Sequence, residues 1–240
     1  MKKHILYFDT ETTGNAENDY LIQIAYKDDV KKHVAYFKPP IPIQFEAMAV
    51  HHITEKMVAD KPAFKFSNEY DELHTLAHDG KTVFVAHNAP FDLKMLTKEG
   101  IVPEEYICTL RVARQLDTEE KIPSYRLQFL RYFLGIDIEA DAHDAMGDVL
   151  VLEKLFERLM KKIMEKENVD EDRALELMIE ISSHPSLLTT FKFGKYKGQK
   201  IAEVMKTDRG YLEWMLAQKS ENPSDDEDLV FSLKKYLGKM

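Results

Sequence analysis

Two acidic residues separated by one position follow an apolar segment near the start of the chain, in the run Tyr7-Phe8-Asp9-Thr10-Glu11. Side chains on a strand alternate between its faces, so we expect Asp9 and Glu11 to point the same way. Two neighbouring carboxylates repel each other unless a positive charge lies between them. Oxygen-only ligands favour Mg²⁺ or Mn²⁺, and the pair therefore predicts a divalent-metal site.

A third acidic residue follows another apolar strand, in the run His87-Asn88-Ala89-Pro90-Phe91-Asp92. Pro90 suits the first turn of a helix, which would place Asp92 near the carboxyl end of a strand. Ligands of open sheets usually bind there. In the alternative interpretation, Asp92 only complements the helix dipole and Asn88 caps the helix. This segment alone favours that alternative.

A histidine and a fourth acid lie five residues apart, His143 and Asp148. On a helix this spacing gives an offset of about 140°, so the two side chains do not stack as neighbours. We expect His143, at a helix start, to reach across a site that Asp148 borders one turn further on. Asp148 precedes Val149 on an otherwise apolar face, where an unpaired carboxylate is rare.

The three segments together resemble, in order and spacing, the three motifs of the DEDDh superfamily of 3′–5′ exonucleases. This superfamily includes the DnaQ-like proofreading subunits, ribonuclease T and oligoribonuclease. Asp9 and Glu11 match the first motif, Asp92 the second and Asp148 the third. His143 marks the histidine branch, since the tyrosine branch would have a tyrosine four residues before the last acid.

Three further stretches are similar to the same superfamily, and the whole resemblance covers roughly residues 3 to 159. The stretches are Ala47 to Thr54, Cys108 to Arg111 and Ser124 to Leu127. One departure lies in the first of them, where His52 replaces a glycine that is common in the family.

The resemblance implies a catalytic site with two Mg²⁺ or Mn²⁺ ions. Asp9, Glu11, Asp92 and Asp148 would hold the ions, and His143 would take the proton from the attacking water. The resemblance also implies that the turn Thr12-Thr13-Gly14 contacts the terminal nucleotide. Asn88 and Phe91 are further candidates for substrate contact. For Phe91, stacking on a base and a place in the core remain alternatives.

The element pattern of the first half predicts an α/β fold. Strands are expected at His4 to Phe8, Leu21 to Tyr26, His33 to Phe37 and Thr82 to Ala86, the first three as an antiparallel meander. Helices are expected at Ser67 to Ala77, Pro90 to Lys98, Leu110 to Gln115, Arg126 to Leu134 and from near His143 past Leu159. With a parallel strand entering by a crossover, this predicts a ribonuclease H-like mixed sheet of three antiparallel strands plus parallel strands, flanked by helices.

The second half predicts a connector and a small α+β module. We place an exonuclease domain at 1–165, a helical connector at 166–186 and the module at 187–240. The connector holds a short helix, Ala174 to Ile181, and Ser182 to Ser186 is the expected break. An acidic segment, Pro223 to Asp228, is expected to start the last helix.

The module contains a segment, Phe191 to Ile201, that interleaves four lysines with three aromatic residues. Lys192, Lys195 and Lys197 could bind single-stranded nucleic acid while the rings stack on bases. Alternatively, the rings pack inward on Leu212 and Trp214 and the lysines are only solvated. The segment also resembles a module appended to exonucleases of the exonuclease X type, which implies a DNA exonuclease of the repair kind.

The composition is typical of a soluble globular protein, with 44% hydrophobic and 31% charged residues. A net charge of −9 argues against broad binding of long duplexes, but an acidic metal site is compatible with a nuclease. No run of about 20 apolar residues occurs, and the start does not resemble a signal peptide. The single cysteine, Cys108, allows no internal disulfide and is expected to be buried, so we expect a cytoplasmic protein.

The sequence therefore predicts a metal-dependent 3′–5′ exonuclease that acts on single-stranded or frayed DNA ends by a two-metal-ion mechanism and releases nucleoside monophosphates. The expected partner is single-stranded DNA or a DNA 3′ end, and no association with a membrane is expected. RNA 3′-end trimming is the alternative substrate assignment. A non-catalytic nucleic-acid-binding module and a proofreading subunit of a polymerase are less favoured readings.

Overall fold

The computed structural model describes residues 3–14, 18–138, 145–220 and 226–239. The strands are β1 His4–Thr12, β2 Leu21–Lys27, β3 Lys32–Tyr36, β4 Thr82–Ala86 and β5 Glu105–Cys108. The helices are α1 Phe45–His51, α2 Glu55–Val58, α3 Asn68–Ala77, α4 Ala89–Lys98, α5 Thr109–Leu116, α6 Leu127–Phe133, α7 Ala145–Glu167, α8 Glu171–Ser182, α9 Ile201–Thr207, α10 Arg209–Ser220 and α11 Glu227–Leu237.

The strands form one mixed sheet in the order β3-β2-β1-β4-β5. β1 and β2 pair antiparallel, as do β2 and β3. β4 pairs parallel to β1 on one side and to β5 on the other. The predicted antiparallel meander with added parallel strands is thus confirmed. The carboxyl ends of β1 and β4 lie side by side. β1 extends beyond the predicted Phe8 to Thr12, so Asp9 and Glu11 lie within its last residues, whereas Asp92 follows β4.

Helices cover both faces of the sheet, because alternate residues of the central strands are apolar on both sides. One face packs mainly against α7, with Tyr7 and Val85 in the same buried cluster as Leu152. The other face packs against α3 and α4, with Phe8 and Leu96 in a second cluster. The site therefore has a rigid support on each side of β1.

The predicted helices agree with α3 to α8 and α11, and α7 extends past Leu159 to Glu167. The expected start of α7 near His143 lies outside the described residues. β5 was not predicted as a strand, because its four residues run directly into α5 without a turn. Pairing with β4 defines it, and a tertiary contact of this kind leaves no local signal. Cys108, at its end, is buried as expected.

The last part of the chain forms its own hydrophobic cluster, in which Phe191, Ile201 and Leu212 pack with Leu233. In contrast, α8 belongs to the core beside α7, where Ala174 and Met178 are fully buried. The three-part division of the chain remains a prediction. Within the described residues, no helix is both long enough and apolar enough for a membrane span.

Candidate active site

The first two acids lie at the carboxyl end of β1, on the face that packs against α7. Tyr7 shares this face by alternation, and its ring contacts Phe156 of α7 edge-on, with centroids 5.4 Å apart. The register between β1 and β2 shifts at Glu11/Thr12, so regular pairing stops where the acids are needed. Asp9 and Glu11 are both partly buried.

Asp92 lies in the first turn of α4 and is held by β1. The backbone N–H of Thr10 donates to Asp92 Oδ1 at 3.1 Å, and the Thr10 hydroxyl donates to the same oxygen at 2.6 Å. Asp92 is only 3% exposed. The alternative reading of this segment fails for Asn88, which has a left-handed backbone (φ 66°) and makes no side-chain cap. Thr10 thus joins the second acidic motif to the first.

Asp148 lies in the first turn of α7, where Gln128 of α6 donates a hydrogen bond from Nε2 to its Oδ1. The sequence analysis did not identify Gln128. The available signal was its place directly after the family-like stretch that ends at Leu127. His143, the predicted base, lies outside the described residues, so its position relative to Asp148 remains a prediction.

The electrostatics show that the four carboxylates form one group. Burial, followed by the charges of Asp92, Glu11 and Asp148, raises the pKa of Asp9 well above its usual range. Burial, Asp148 and Asp92 raise the pKa of Glu11 to about 8. Neighbouring carboxylates therefore oppose ionisation of Asp9 and of Glu11, as expected for acids that share a site.

Asp92 is also buried, but in addition its carboxylate accepts hydrogen bonds from Thr10. Burial raises its pKa to about 7, while its hydrogen bonds from Thr10 oppose the rise. Those hydrogen bonds favour the carboxylate form, so Asp92 is prepared to carry a charge once an opposite charge is present.

The donor set fits divalent metal ions, because it consists of carboxylate oxygens whose mutual repulsion a cation would remove. Asp9, Glu11, Asp92 and Asp148 are the residues that would hold Mg²⁺ or Mn²⁺. Among the described residues, no group of three or more His, Cys, Asp or Glu side chains has the arrangement of ready-made metal ligands.

Hydrogen bonds of Thr13 hold the predicted substrate turn, Thr12 to Gly14, in place. The Thr13 hydroxyl donates to Asp19 Oδ1 at 2.6 Å, and the Thr13 carbonyl accepts from the Gln44 N–H at 2.9 Å. A Cβ on Gly14 would lie 2.4 Å from Gln44 Nε2, so a larger residue at this position would require the Gln44 side chain to move. Both threonine side chains are buried, so the surface left for a substrate here is mainly backbone.

The histidine pair after α1 explains a departure noted in the sequence. His52 adopts a left-handed conformation (φ 60°) at the end of α1, where glycine is the residue of lowest cost. His51 is buried, and its Nδ1 accepts the Ile53 N–H at 2.9 Å. Its Nε2 is buried with no hydrogen-bond partner in the described part of the chain. The sequence analysis did not single out His51 as a site residue.

The other predicted substrate residues differ in their surroundings. Asn88 is exposed, and Phe91 is half-buried and outside the hydrophobic clusters of the described residues. In the module, Lys192, Lys195 and Lys197 are all exposed, and Lys195 also forms an ion pair with Asp208 at 3.1 Å.

The aromatic rings of the segment Phe191 to Ile201 do not all agree with one interpretation: some pack inward and others remain accessible for stacking on bases. Phe191 is buried and packs with Leu212, and the Tyr196 ring contacts Tyr211 with centroids 4.9 Å apart. Phe193 and Trp214 are 44% and 58% exposed. Phe191 thus packs inward as the second reading expects, while Phe193 remains accessible. Trp214 is not the inward packing partner that this reading required.

Comparison with known families gives two matches along the chain. Residues 6–156 match the exonuclease family model, and residues 191–220 match the exodeoxyribonuclease X-like C-terminal family. The chain belongs to the exonuclease family, and its C-terminal module is of the exonuclease X-like kind.

Individual relatives agree with this assignment. Exodeoxyribonuclease 10 of Escherichia coli K12 is 32% identical over 237 residues, covering 95% of this chain and 96% of the relative. The DNA polymerase III subunit epsilon of Treponema pallidum is 32% identical over 64% of this chain and 76% of its own length.

Solved structures show the same fold. An exonuclease X in complex with 5′-overhanging duplex DNA superposes with a TM-score of 0.57 and 27% identity, covering 74% of this chain and 99% of that chain. Escherichia coli exonuclease I in complex with a dT13 oligonucleotide has a TM-score of 0.56 and 22% identity over 73% of this chain and 43% of its own, a likeness of fold.

Proposed function

We propose that this protein removes nucleoside monophosphates from the 3′ ends of single-stranded or frayed DNA, using two divalent ions held by its carboxylate cluster. The protein is a 3′–5′ DNA exonuclease by its family and by its full-length similarity to exodeoxyribonuclease 10. The single observation that supports the chemistry best is that the charges of neighbouring site carboxylates raise the pKa values of Asp9 and Glu11.

Each residue has a defined task in this proposal. When bound, the metal ions neutralise the phosphate and lower the pKa of water. Thr10 holds Asp92 against β1, and Gln128 orients Asp148. His143 accepts the proton of the attacking water, for which its unperturbed pKa near 6.5 is suitable. The identity of the ions and the role of His143 are parts of the proposal.

The substrate end is positioned by the surfaces beside the cluster. The backbone of Thr12 to Gly14 meets the terminal nucleotide, supported by the Asp19 and Gln44 contacts of Thr13. Phe91 stacks on a base, which its half-buried position outside the hydrophobic clusters of the described residues supports. We also assign Asn88, which is exposed at the start of α4, to substrate contact.

DNA is favoured over RNA because the relatives that share both parts of the chain are named exodeoxyribonucleases. The proofreading reading is less favoured, because the similarity to the epsilon subunit covers 64% of this chain whereas that to exodeoxyribonuclease 10 covers 95%. A non-catalytic role is less favoured because the set Asp9, Glu11, Asp92, His143 and Asp148 is intact, whereas loss of one acid would have favoured it. The cytoplasmic location remains a prediction.

The test is time-resolved cleavage of matched 3′-labelled and 5′-labelled single strands, with DNA beside RNA. We expect a 5′-labelled DNA ladder that shortens from the 3′ end with Mg²⁺ or Mn²⁺ and is absent in EDTA. Asp9→Asn is the control that removes one carboxylate charge at nearly constant volume. Faster cleavage of RNA would contradict the substrate assignment, and cleavage by Asp9→Asn at the wild-type rate would contradict the site.

A further inference from the structure

A groove of about 870 Å³ runs between the exonuclease domain and the C-terminal module. On one side it is lined by His87, Asn88 and Pro90, at the start of α4, and by 123–127. On the other side it is lined by 187–193 and Lys197 of the module. The first wall borders the active site, because Asp92 lies in the first turn of α4 and Gln128 follows residue 127 directly.

The module is fixed against the exonuclease domain at the floor of the groove. Arg111 of α5 is 2% exposed and donates from Nε to Asp228 Oδ1 at 3.0 Å and from Nη1 to the Ser182 carbonyl at 2.7 Å. Its Nη2 donates to Glu227 at 2.5 Å, and Arg114 pairs with the other oxygen of Asp228. A buried arginine with this many partners holds the two walls in a defined relation.

The acidic residues of the groove are engaged with the protein. Glu227 and Asp228 pair with Arg111, and Asp226 pairs with Lys219. Asp117 accepts hydrogen bonds from the Tyr125 hydroxyl and from two backbone N–H groups. Glu120, which also lines the groove, accepts a hydrogen bond from the Thr190 hydroxyl at 2.6 Å. Each of these acidic side chains therefore has a hydrogen-bond or ion-pair partner, which reduces its effect on an anion in the groove.

Three basic residues of the groove, Arg126, Lys192 and Lys197, are exposed. Arg126 on the first wall and Lys197 on the module have no side-chain hydrogen bond or ion pair with any residue the structure describes. Lys192 lies 5.9 Å from the centre of the Tyr125 ring and 3.5 Å from the Ile122 carbonyl. Cations thus face the groove from both walls.

Exposed aromatic surface accompanies these cations. Phe193, 44% exposed, lies on the module wall, and the half-buried Tyr125 lies opposite. Alternating cations and rings suit a single strand, because unpaired bases can stack while phosphates meet the cations. A duplex offers no free base faces along its length. The two-walled shape with rings on both sides therefore favours single-stranded nucleic acid over a duplex.

We propose that this groove binds the single-stranded DNA that follows the 3′-terminal nucleotides, and so guides the strand into the active site. The proposal rests on the proposed exonuclease function. It assigns Lys192, Lys197, Arg126 and Phe193 to a substrate path outside the catalytic cluster. Lys195, the third lysine expected to bind substrate, does not line this groove and is paired with Asp208.

The test measures binding and cleavage separately on oligo(dT) of increasing length, using the full chain. Binding is measured by fluorescence anisotropy in EDTA, and cleavage with Mg²⁺. The groove variant is Lys192→Gln/Lys197→Gln. The matched control is Lys234→Gln/Lys235→Gln, which removes the same charge from exposed positions of α11 that do not line the groove. A second pair compares Phe193→Ala with Trp214→Ala, both exposed rings of the module.

We expect the groove variant to bind long oligonucleotides about tenfold or more weakly and to cleave a trinucleotide at the wild-type rate. The slope of log Kd against log salt should fall by about 1.4, since each phosphate contact on a single strand contributes about 0.7. Phe193→Ala should weaken long-strand binding without this change in slope. Both control variants should match the wild type.

Equal affinity of the groove variant and the wild type for long strands would overturn the proposal, as would equal losses on long and short strands. The same binding measurement is made on a duplex with a 5′ overhang, and a loss confined to that duplex would also overturn the proposal, because it would assign the groove to the complementary strand. If no oligonucleotide is cleaved by any form of the protein, the exonuclease proposal fails, whereas the binding measurements in EDTA still decide the groove.

Discussion

The protein contains two clusters of buried or partly buried carboxyl groups, and their surroundings are opposite. At the active site, Asp9 and Glu11 are surrounded by burial and other carboxylates, which raise their pKa values. At the junction with the module, Asp228 is held by Arg111 and Arg114. Burial disfavours the charged form of Arg111, but Asp228 and Glu227 outweigh it and raise the arginine pKa.

The comparison distinguishes a functional cluster from a structural one. The junction satisfies its charges internally, so it stabilises the position of the module without any ligand. The active site leaves like charges together, and this arrangement costs stability that a bound cation would restore. The active-site cluster is thus suited to binding a cation, whereas the junction cluster holds the module in a rigid position.

The largest expected effect is the loss of catalysis on neutralising one site acid. Asp9→Asn or Asp148→Asn should reduce cleavage of single-stranded DNA to background, since each removes a charge that would hold the metal ions. The thermal midpoint in EDTA should stay the same or rise, because repulsion is relieved. A clearly lower midpoint in EDTA would place these acids in the structural class with Asp228.

The next effect concerns His143, whose role is predicted from the sequence alone. His143→Ala should slow cleavage by roughly 10²–10⁴-fold, the usual contribution of a general base. Binding of Mn²⁺, followed by calorimetry, should be retained. Loss of Mn²⁺ binding would assign His143 to the metal ligands and not to proton transfer.

Breaking the junction should affect stability and not the chemical step. Arg111→Met leaves Asp228 and Glu227 with one fewer partner and should cost about 3–5 kcal/mol of unfolding free energy. Arg114→Met is the matched control, partly exposed, with an expected cost of about 1 kcal/mol. Urea titration measures both, and trinucleotide cleavage by the folded protein should remain unchanged. Equal costs for the two variants would contradict a buried structural role for Arg111.

Removing the support of Asp148 should have an intermediate effect on function. Gln128→Leu keeps the approximate volume but loses the hydrogen bond to Asp148, and should lower Mn²⁺ affinity or activity by about 10–100-fold, as for other residues that orient metal ligands. Gln128→Glu adds a further negative charge and should weaken the site differently, with a stronger dependence on pH. Wild-type Mn²⁺ affinity and activity in Gln128→Leu would remove Gln128 from the site.

The smallest expected effect is on the pH dependence of stability without metal. Glu11 and Asp92 have folded-state pKa values of about 8 and about 7, above those of the unfolded chain. Between pH 4 and 8 the folded protein therefore holds more protons, and its stability falls as pH rises. We expect the free energy of unfolding and the thermal midpoint to fall from pH 6 to pH 8 in EDTA.

Two further comparisons test whether the pH dependence of stability arises at the active site. Mn²⁺ should restore most of the lost stability at pH 8, because the bound metal ion would offset the carboxylate charges that protons neutralise at lower pH. Glu11→Gln should flatten the pH dependence, whereas a junction variant should leave it unchanged. A rise in stability between pH 6 and pH 8 in EDTA would contradict the assigned ionisation.

The sequence determined the type and order of the site residues. Alternation along β1 places Asp9 and Glu11 on one face, and Pro90 correctly marks the first turn that carries Asp92. Long periodic segments such as α7 were predictable because their apolar positions repeat every turn. These features depend on neighbours in sequence, so they can be inferred without coordinates.

Other features were decided only by tertiary structure. β5 exists through pairing with β4, the hydrogen bonds of Thr10 to Asp92 join residues 82 positions apart, and Gln128 meets Asp148 across two helices. Arg111 was noticed only as part of a family-like stretch, and its partners lie more than 70 residues away. Local patterns show which side chains are available for chemistry, whereas burial and long-range contacts decide whether their charges are balanced.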